Sequence, residues 1–104
     1  MAWLVLVLSG VMEAVWATAL GKSDGLTRPP ATAVFVVALV VSMAGLAYAM
    51  RDLPVGTSYA VWVGIGAALT VTYAMAVDGE AASPLKVLLV LGIVGCVIGL
   101  KATG

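Results

Sequence analysis

Four apolar stretches, each near the length that crosses a bilayer, are divided only by breaker-rich turns of four to ten residues. A membrane-spanning helix needs about 20 apolar residues, within a range of roughly 17–25. Lipid offers backbone groups no hydrogen-bond partners, so such stretches must be helical. The pattern predicts helices over residues 2–20, 31–50, 55–77 and 85–100 in one four-helix transmembrane domain covering residues 1–104. The last stretch is short, and Lys86 and Lys101 at its ends can snorkel to the interfaces. The turns are Gly21 to Pro30, Arg51 to Pro54 and Asp78 to Pro84, with Pro54 and Pro84 where helix starts tolerate proline.

Composition closes off the alternatives. Hydrophobic residues make up 63% of the chain and charged residues 10%, with a mean hydropathy of +1.20. Soluble domains average about 25% charged residues. A soluble chain of this size buries too little of its surface to hide that much apolar area. The formal charge is zero, which argues against a nucleic-acid partner. No phosphate-binding Gly-Lys loop occurs, so nothing here uses ATP. Without histidine, no Ser-His-Asp or Cys-His site can form, and the chain reads as neither an enzyme nor a cofactor carrier. Cys96, the one cysteine, reads as a small packing residue. No Lys or Arg precedes the first apolar run and Glu13 interrupts it, so that run is expected to remain as a helix rather than be cleaved as a signal peptide.

Glu13 is the charge that does not belong. The other nine lie in turns or at helix ends, whereas Glu13 falls twelve residues into the first helix. A carboxylate at that depth costs roughly 2.5–3.5 kcal/mol on insertion scales. It must therefore hold either a proton or a cation, and an intramembrane ionisable residue is a functional candidate first. The bland alternative is a protonated structural acid bonded to a neighbouring helix. Ser9, Gly10, Trp16 and Ala17 share its face at three- and four-residue spacing, giving small residues, one acid and one indole. That composition suits a cavity between helices better than a lipid-facing surface.

The third helix reads Gly56-Thr-Ser-Tyr59-Ala-Val-Trp62-Val-Gly64-Ile-Gly66. Tyr59 and Trp62 lie one turn apart, and an aromatic beside an acid is what a desolvated organic cation requires. An interfacial aromatic belt is the plainer explanation. Gly64 and Gly66 weaken the helix at its middle and read as a hinge. Ser42 is the polar residue halfway along the second helix, where a membrane serine often bonds back to its own turn. In the fourth helix Gly92, Gly95 and Gly99 give a small-residue face suited to packing against another helix across a dimer.

Together these residues resemble the small multidrug resistance family of four-helix, proton-coupled exporters, over essentially the whole chain. The specific signal is Pro54-x-Gly56-x-x-Tyr59-Ala60-x-Trp62-x-Gly64-x-Gly66. Glu13, Lys22-x-Ser-x-Gly25, Gly79-Glu80 and the glycines of the fourth helix support it. Glu13-Ala-Val-Trp16-Ala17 and the ending Gly99-Leu-Lys101-Ala102 look like the guanidinium exporter subtype. The first turn departs in two places: relatives often carry the lysine one residue before Lys22, and usually phenylalanine at Leu26. The resemblance implies that Glu13 binds proton and substrate in turn, with Trp16, Ser42, Tyr59 and Trp62 lining the site. It also implies an antiparallel homodimer in the bacterial inner membrane. Lys101 looks like a subtype marker.

The leading expectation is thus a proton antiporter of guanidinium and small guanidinyl cations. A broad exporter of quaternary ammonium compounds is the alternative, and a non-transporting membrane assembly subunit is a third. Lys22, Arg28 and Lys86 fall on one side of the membrane, and Arg51 and Lys101 on the other with the N-terminal amine. This near-balance gives little preference for one insertion over its inverse.

Overall fold

The computed structural model describes residues 1–103. Four helices follow one another: α1 Ala2–Lys22, α2 Pro29–Ala49, α3 Val55–Ala76 and α4 Pro84–Thr103. All four are long and apolar enough to cross a bilayer. The bounds differ from the sequence expectation at the ends. α2 begins at Pro29 instead of residue 31, because a proline at the first helical position lacks only an N–H that has no partner there. Arg28 before it is extended, as the clash with the following proline ring demands. α4 continues to Thr103, which carries Lys101 inside the last turn.

α1 is the centre of the subunit. It packs along α2 on one side and α3 on the other, while α2 and α3 barely meet and α4 runs beside α3 only. The extents are 40 × 34 × 17 Å, so the array is less than two helix diameters thick. Its accessible surface of 6164 Å² exceeds the roughly 5,400 Å² of a compact soluble chain of this mass. Among the described residues none of α4 is buried. Leucines and valines cover the outside, as a helix array solvated by lipid should have it.

Two close approaches set the helix spacing around α1. A Cβ added at Gly45 of α2 would fall on the Ser9 hydroxyl, and one added at Gly10 of α1 would lie 2.8 Å from Ile65 Cβ. Glycine at both positions lets α1 sit against its two neighbours at backbone distance. The connection after α1 is tied down by the buried Ser23 hydroxyl, which donates to the Leu20 carbonyl at 2.7 Å and accepts from the Leu26 amide at 3.0 Å. Lys22 pairs with Asp78 at 3.0 Å and joins the first and third turns, which share one membrane face. At the opposite face the Lys101 ammonium lies 5.7 Å from the Trp3 ring centroid, which gives Lys101 a contact that its sequence context did not.

Candidate site around Glu13

The three helices converge on the middle of α1. The buried Trp62 of α3 donates its indole N–H to Ser42 Oγ of α2 at 3.0 Å. Ser42 in turn donates to the Ser9 carbonyl of α1 at 2.8 Å. That carbonyl is the one helical geometry assigns to the Glu13 amide, so the chain of bonds ends on the turn that carries the acid. Ser42 thus bonds across helices and not back to its own turn, as lone membrane serines often do. The Ser9 hydroxyl does bond back, to the Val5 carbonyl at 2.7 Å.

Glu13 lies against Gly66. A Cβ at Gly66 would fall on the carboxylate, so the absent side chain is the space the acid occupies. Glu13 Oε1 is buried and accepts no hydrogen bond among the described residues. The Trp16 indole N–H, one turn further along the same face, is also buried and has no acceptor there. An unsatisfied buried acceptor and an unsatisfied buried donor are each costly unless something else serves them. The helical run of α3 continues unbroken through Gly64 and Gly66. Both glycines sit at close approaches, Gly66 under the carboxylate and Gly64 under α4, where an added Cβ would lie 2.7 Å from Val97 Cγ2.

Aromatic rings form the wall of the site. Trp62 is tilted against Tyr59 at 5.9 Å and against Trp16 at 6.5 Å, and Trp16 meets Phe35 edge-on at 6.0 Å. Tyr59 stands at the open end of this row, 56% exposed, whereas Trp62 is 5% exposed. An interfacial belt would leave both rings at the surface; here one is an internal packing residue with a committed N–H. All five residues singled out by the sequence therefore gather on α1, α2 and α3. Phe35 was not among them, although its place two turns before Ser42 on α2 put it on the face that meets α1.

Gly92, Gly95 and Gly99 have open space around them: a Cβ at any of the three would meet no atom within 4 Å. They do not hold α4 to α3. Ile93 and Val97 do that, through Gly64.

Comparison with known proteins places the chain in a family. The profile of the family described as Small Multidrug Resistance protein matches residues 1–94. The guanidinium exporter of Escherichia coli (strain K12) is 46% identical over 99 residues, covering 91% of this chain and 94% of the relative. Guanidinium exporters of Citrobacter freundii and Salmonella typhimurium are each 46% identical over 101 residues, covering 97% of this chain and 96% of theirs. A family profile that covers nine-tenths of the chain, on a fold of four spanning helices, makes this protein a member of the small multidrug resistance family.

Proposed function

We propose that this protein exports guanidinium and small guanidinyl cations from the bacterial cell in exchange for protons, working as an antiparallel homodimer, with Glu13 holding proton or substrate in turn. It is a multi-pass protein of the inner membrane and a transporter, not an enzyme. The observation that carries the reading is that Glu13 Oε1 and the Trp16 N–H, one turn apart on α1, are both buried without partners, with the Trp16 ring in a row of aromatic rings. The similarity to guanidinium exporters supports the choice of cation.

The chemistry follows from one group. A carboxylate in low dielectric cannot stay bare, so it carries a proton or a cation but not both. Mutual exclusion is enough for exchange if the empty, uncompensated carboxylate does not cross. Guanidinium is planar and presents N–H donors in a fork that matches both carboxylate oxygens. Trp62, held by Ser42, offers a ring beside which a flat cation can lie. A quaternary ammonium has no N–H to give and can use only charge and apolar contact. An antiparallel pair has two equivalent arrangements, one open to each side, so exchanging them moves the site across the membrane. The open glycine face of α4 is free to join the two copies.

The test is exchange by the purified protein alone in liposomes. Guanidinium on one side should drive protons the other way, faster than tetra-alkylammonium does, and Glu13→Gln should abolish coupling while leaving a folded dimer. Retained pH-driven guanidinium exchange in that variant would refute the central role of Glu13. Faster tetra-alkylammonium exchange would assign the protein to the multidrug type, and no exchange of either would favour an assembly subunit.

A further inference from the structure

A groove lies on the side of α1 away from Glu13. Val11, Val15, Thr18 and Lys22 sit roughly half a turn round the helix from Glu13. They form the floor of a groove of about 650 Å³, walled by Val34 of α2 and by Leu69 and Tyr73 of α3. It lies between α2 and α3, which both pack on α1 and barely meet each other. The lining is almost wholly apolar until the mouth, where charge gathers. There the Lys22 ammonium lies 5.2 Å from the Tyr73 ring centroid and 3.0 Å from Asp78 Oδ1. Both charges remain accessible, with side chains 50% and 32% exposed.

We propose that this groove holds one acyl chain of a phosphatidylethanolamine molecule, with the lipid's headgroup on the Lys22–Asp78 pair. The length fits. From Val11 to Lys22 is eleven residues, about 16 Å along a helix. That is half of the roughly 30 Å hydrocarbon core, the depth of one leaflet. The charges fit as well. The headgroup carries a phosphate and a primary ammonium, and the protein offers an ammonium and a carboxylate side by side. Lys22 takes the phosphate and Asp78 takes the lipid ammonium, each through a charge-assisted hydrogen bond. Phosphatidylcholine cannot make the second bond, because its nitrogen bears no hydrogen. Phosphatidylglycerol brings a negative charge and no cation, so Asp78 opposes it. The groove is thus selective by its mouth and apolar by its body. It also gives Lys22, which the exchange chemistry around Glu13 does not use, a task of its own.

Lipid retention on the purified full chain, read by native mass spectrometry, tests this without any measure of transport, so it stands or falls separately from the role of Glu13. Three lipids with identical acyl chains are titrated. Phosphatidylethanolamine should be retained about tenfold more tightly than the other two, the scale of one hydrogen bond to a charged group. Asp78→Asn should lower it to the phosphatidylcholine level, and Lys22→Gln should weaken all three. Thr18→Phe, which fills the groove and leaves both charges in place, should reduce retention of every lipid. The double variant Lys22→Asp with Asp78→Lys keeps one charge of each sign and should keep the preference, so it decides the matter if either single variant fails to fold. Equal retention of the three lipids by the parent would overturn the proposal, as would a preference for phosphatidylglycerol or a preference that survives Asp78→Asn. Disulfide-linked pairs formed by Thr18→Cys in a Cys96→Ser background would overturn it too, by showing that a second copy covers the groove.

Discussion

Replacing Gly66 with alanine separates a seat from a hinge. As hinge residues, Gly64 and Gly66 would respond alike to alanine: exchange would slow and binding would survive. The structure gives them different neighbours. At Gly66 the new methyl would land on the Glu13 carboxylate, while at Gly64 it would lie 2.7 Å from Val97 Cγ2 and 3.5 Å from Ile93 Cγ2. Those two are side-chain ends on α4, which lies at the edge of the array beside α3 and can give way. The carboxylate is also the end of a flexible side chain, but it can clear the methyl only by leaving its place against Gly66, because α1 itself is held between α2 and α3. In stability the two variants should look similar. Alanine gains about 1 kcal/mol of helix propensity over glycine, and inserting a methylene into a packed site costs typically 1–3 kcal/mol. The net change is at most about 2 kcal/mol in either case.

Function should split them. A carboxylate displaced by about an ångström from its cation loses the two-oxygen fork and keeps at best one hydrogen bond, and one charge-assisted bond is worth roughly 1.5–3 kcal/mol. Guanidinium affinity, measured by calorimetry on the purified protein, should therefore fall by about 10- to 100-fold in Gly66→Ala. In Gly64→Ala it should stay within about threefold of the parent, since no group at the site moves. Equal affinities in the two variants would refute the seat. Parent affinity with slowed exchange in both would restore the hinge.

Three further outcomes follow from the same geometry. Ser42→Ala strands the Trp62 N–H in a buried position and should lower stability by about 1–3 kcal/mol in thermal or denaturant unfolding, while a Trp62→Phe, Ser42→Ala pair should recover part of the loss because neither partner is then left unpaired. Guanidinium binding should weaken as pH falls, because protonation of Glu13 removes the charge the cation needs; with one proton exchanged per cation, the dissociation constant should rise by close to tenfold per pH unit once the proton dominates, and a pH-independent constant would exclude Glu13 as the shared group. Cysteine-accessibility labelling in cells, with reporters placed in the first turn, should find both orientations, because Lys22, Arg28 and Lys86 on one side nearly balance Arg51, Lys101 and the N-terminal amine on the other; a single orientation would refute the antiparallel pair.

The parts of the fold that the sequence made legible are those that one helix decides by itself. Span length and apolar run are local quantities, so four helices could be placed within a few residues, and the errors of two or three residues fall at Lys22, Pro29 and Thr103, where a proline-tolerant start and fraying ends follow finer rules. Glu13 was legible because its cost is also local: a carboxylate at that depth demands a purpose whatever surrounds it. What helix periodicity could not give is which helix lies across from which. Gly66 illustrates the limit. A glycine in mid-helix reads as weakness, and only the neighbour across the interface shows that it is room for an acid. Ser42 illustrates it again, since a serine that bonds its own turn and one that bridges two other helices have the same sequence signature.

Among the described residues four buried side-chain polar atoms lack a partner, Glu13 Oε1, Trp16 Nε1, Thr32 Oγ1 and Ser58 Oγ, and the first two bear on transport because one of them is a carboxylate oxygen. Ser9, Thr70 and Thr72 return their hydroxyls to their own helices, and Ser42 and Trp62 satisfy each other across two of them. Every one of these bonds fixes a position. Glu13 and Trp16 lie within one turn of this satisfied network, yet their buried atoms Oε1 and Nε1 have no partner in it. Had the acid been a purely structural one, the Trp16 N–H on its own helix, or the Ser42 hydroxyl already reaching α1, would be the natural donor, and the cost of burial would be met once and permanently. A permanent donor would also compete with both proton and cation and would stabilise the bare carboxylate, the one state an exchanger must keep from crossing. The network that commits Ser42 and Trp62 to each other while fixing the turn that carries the acid is therefore the arrangement an exchanger needs: firm placement of that turn, with the carboxylate's charge left for a ligand that leaves again.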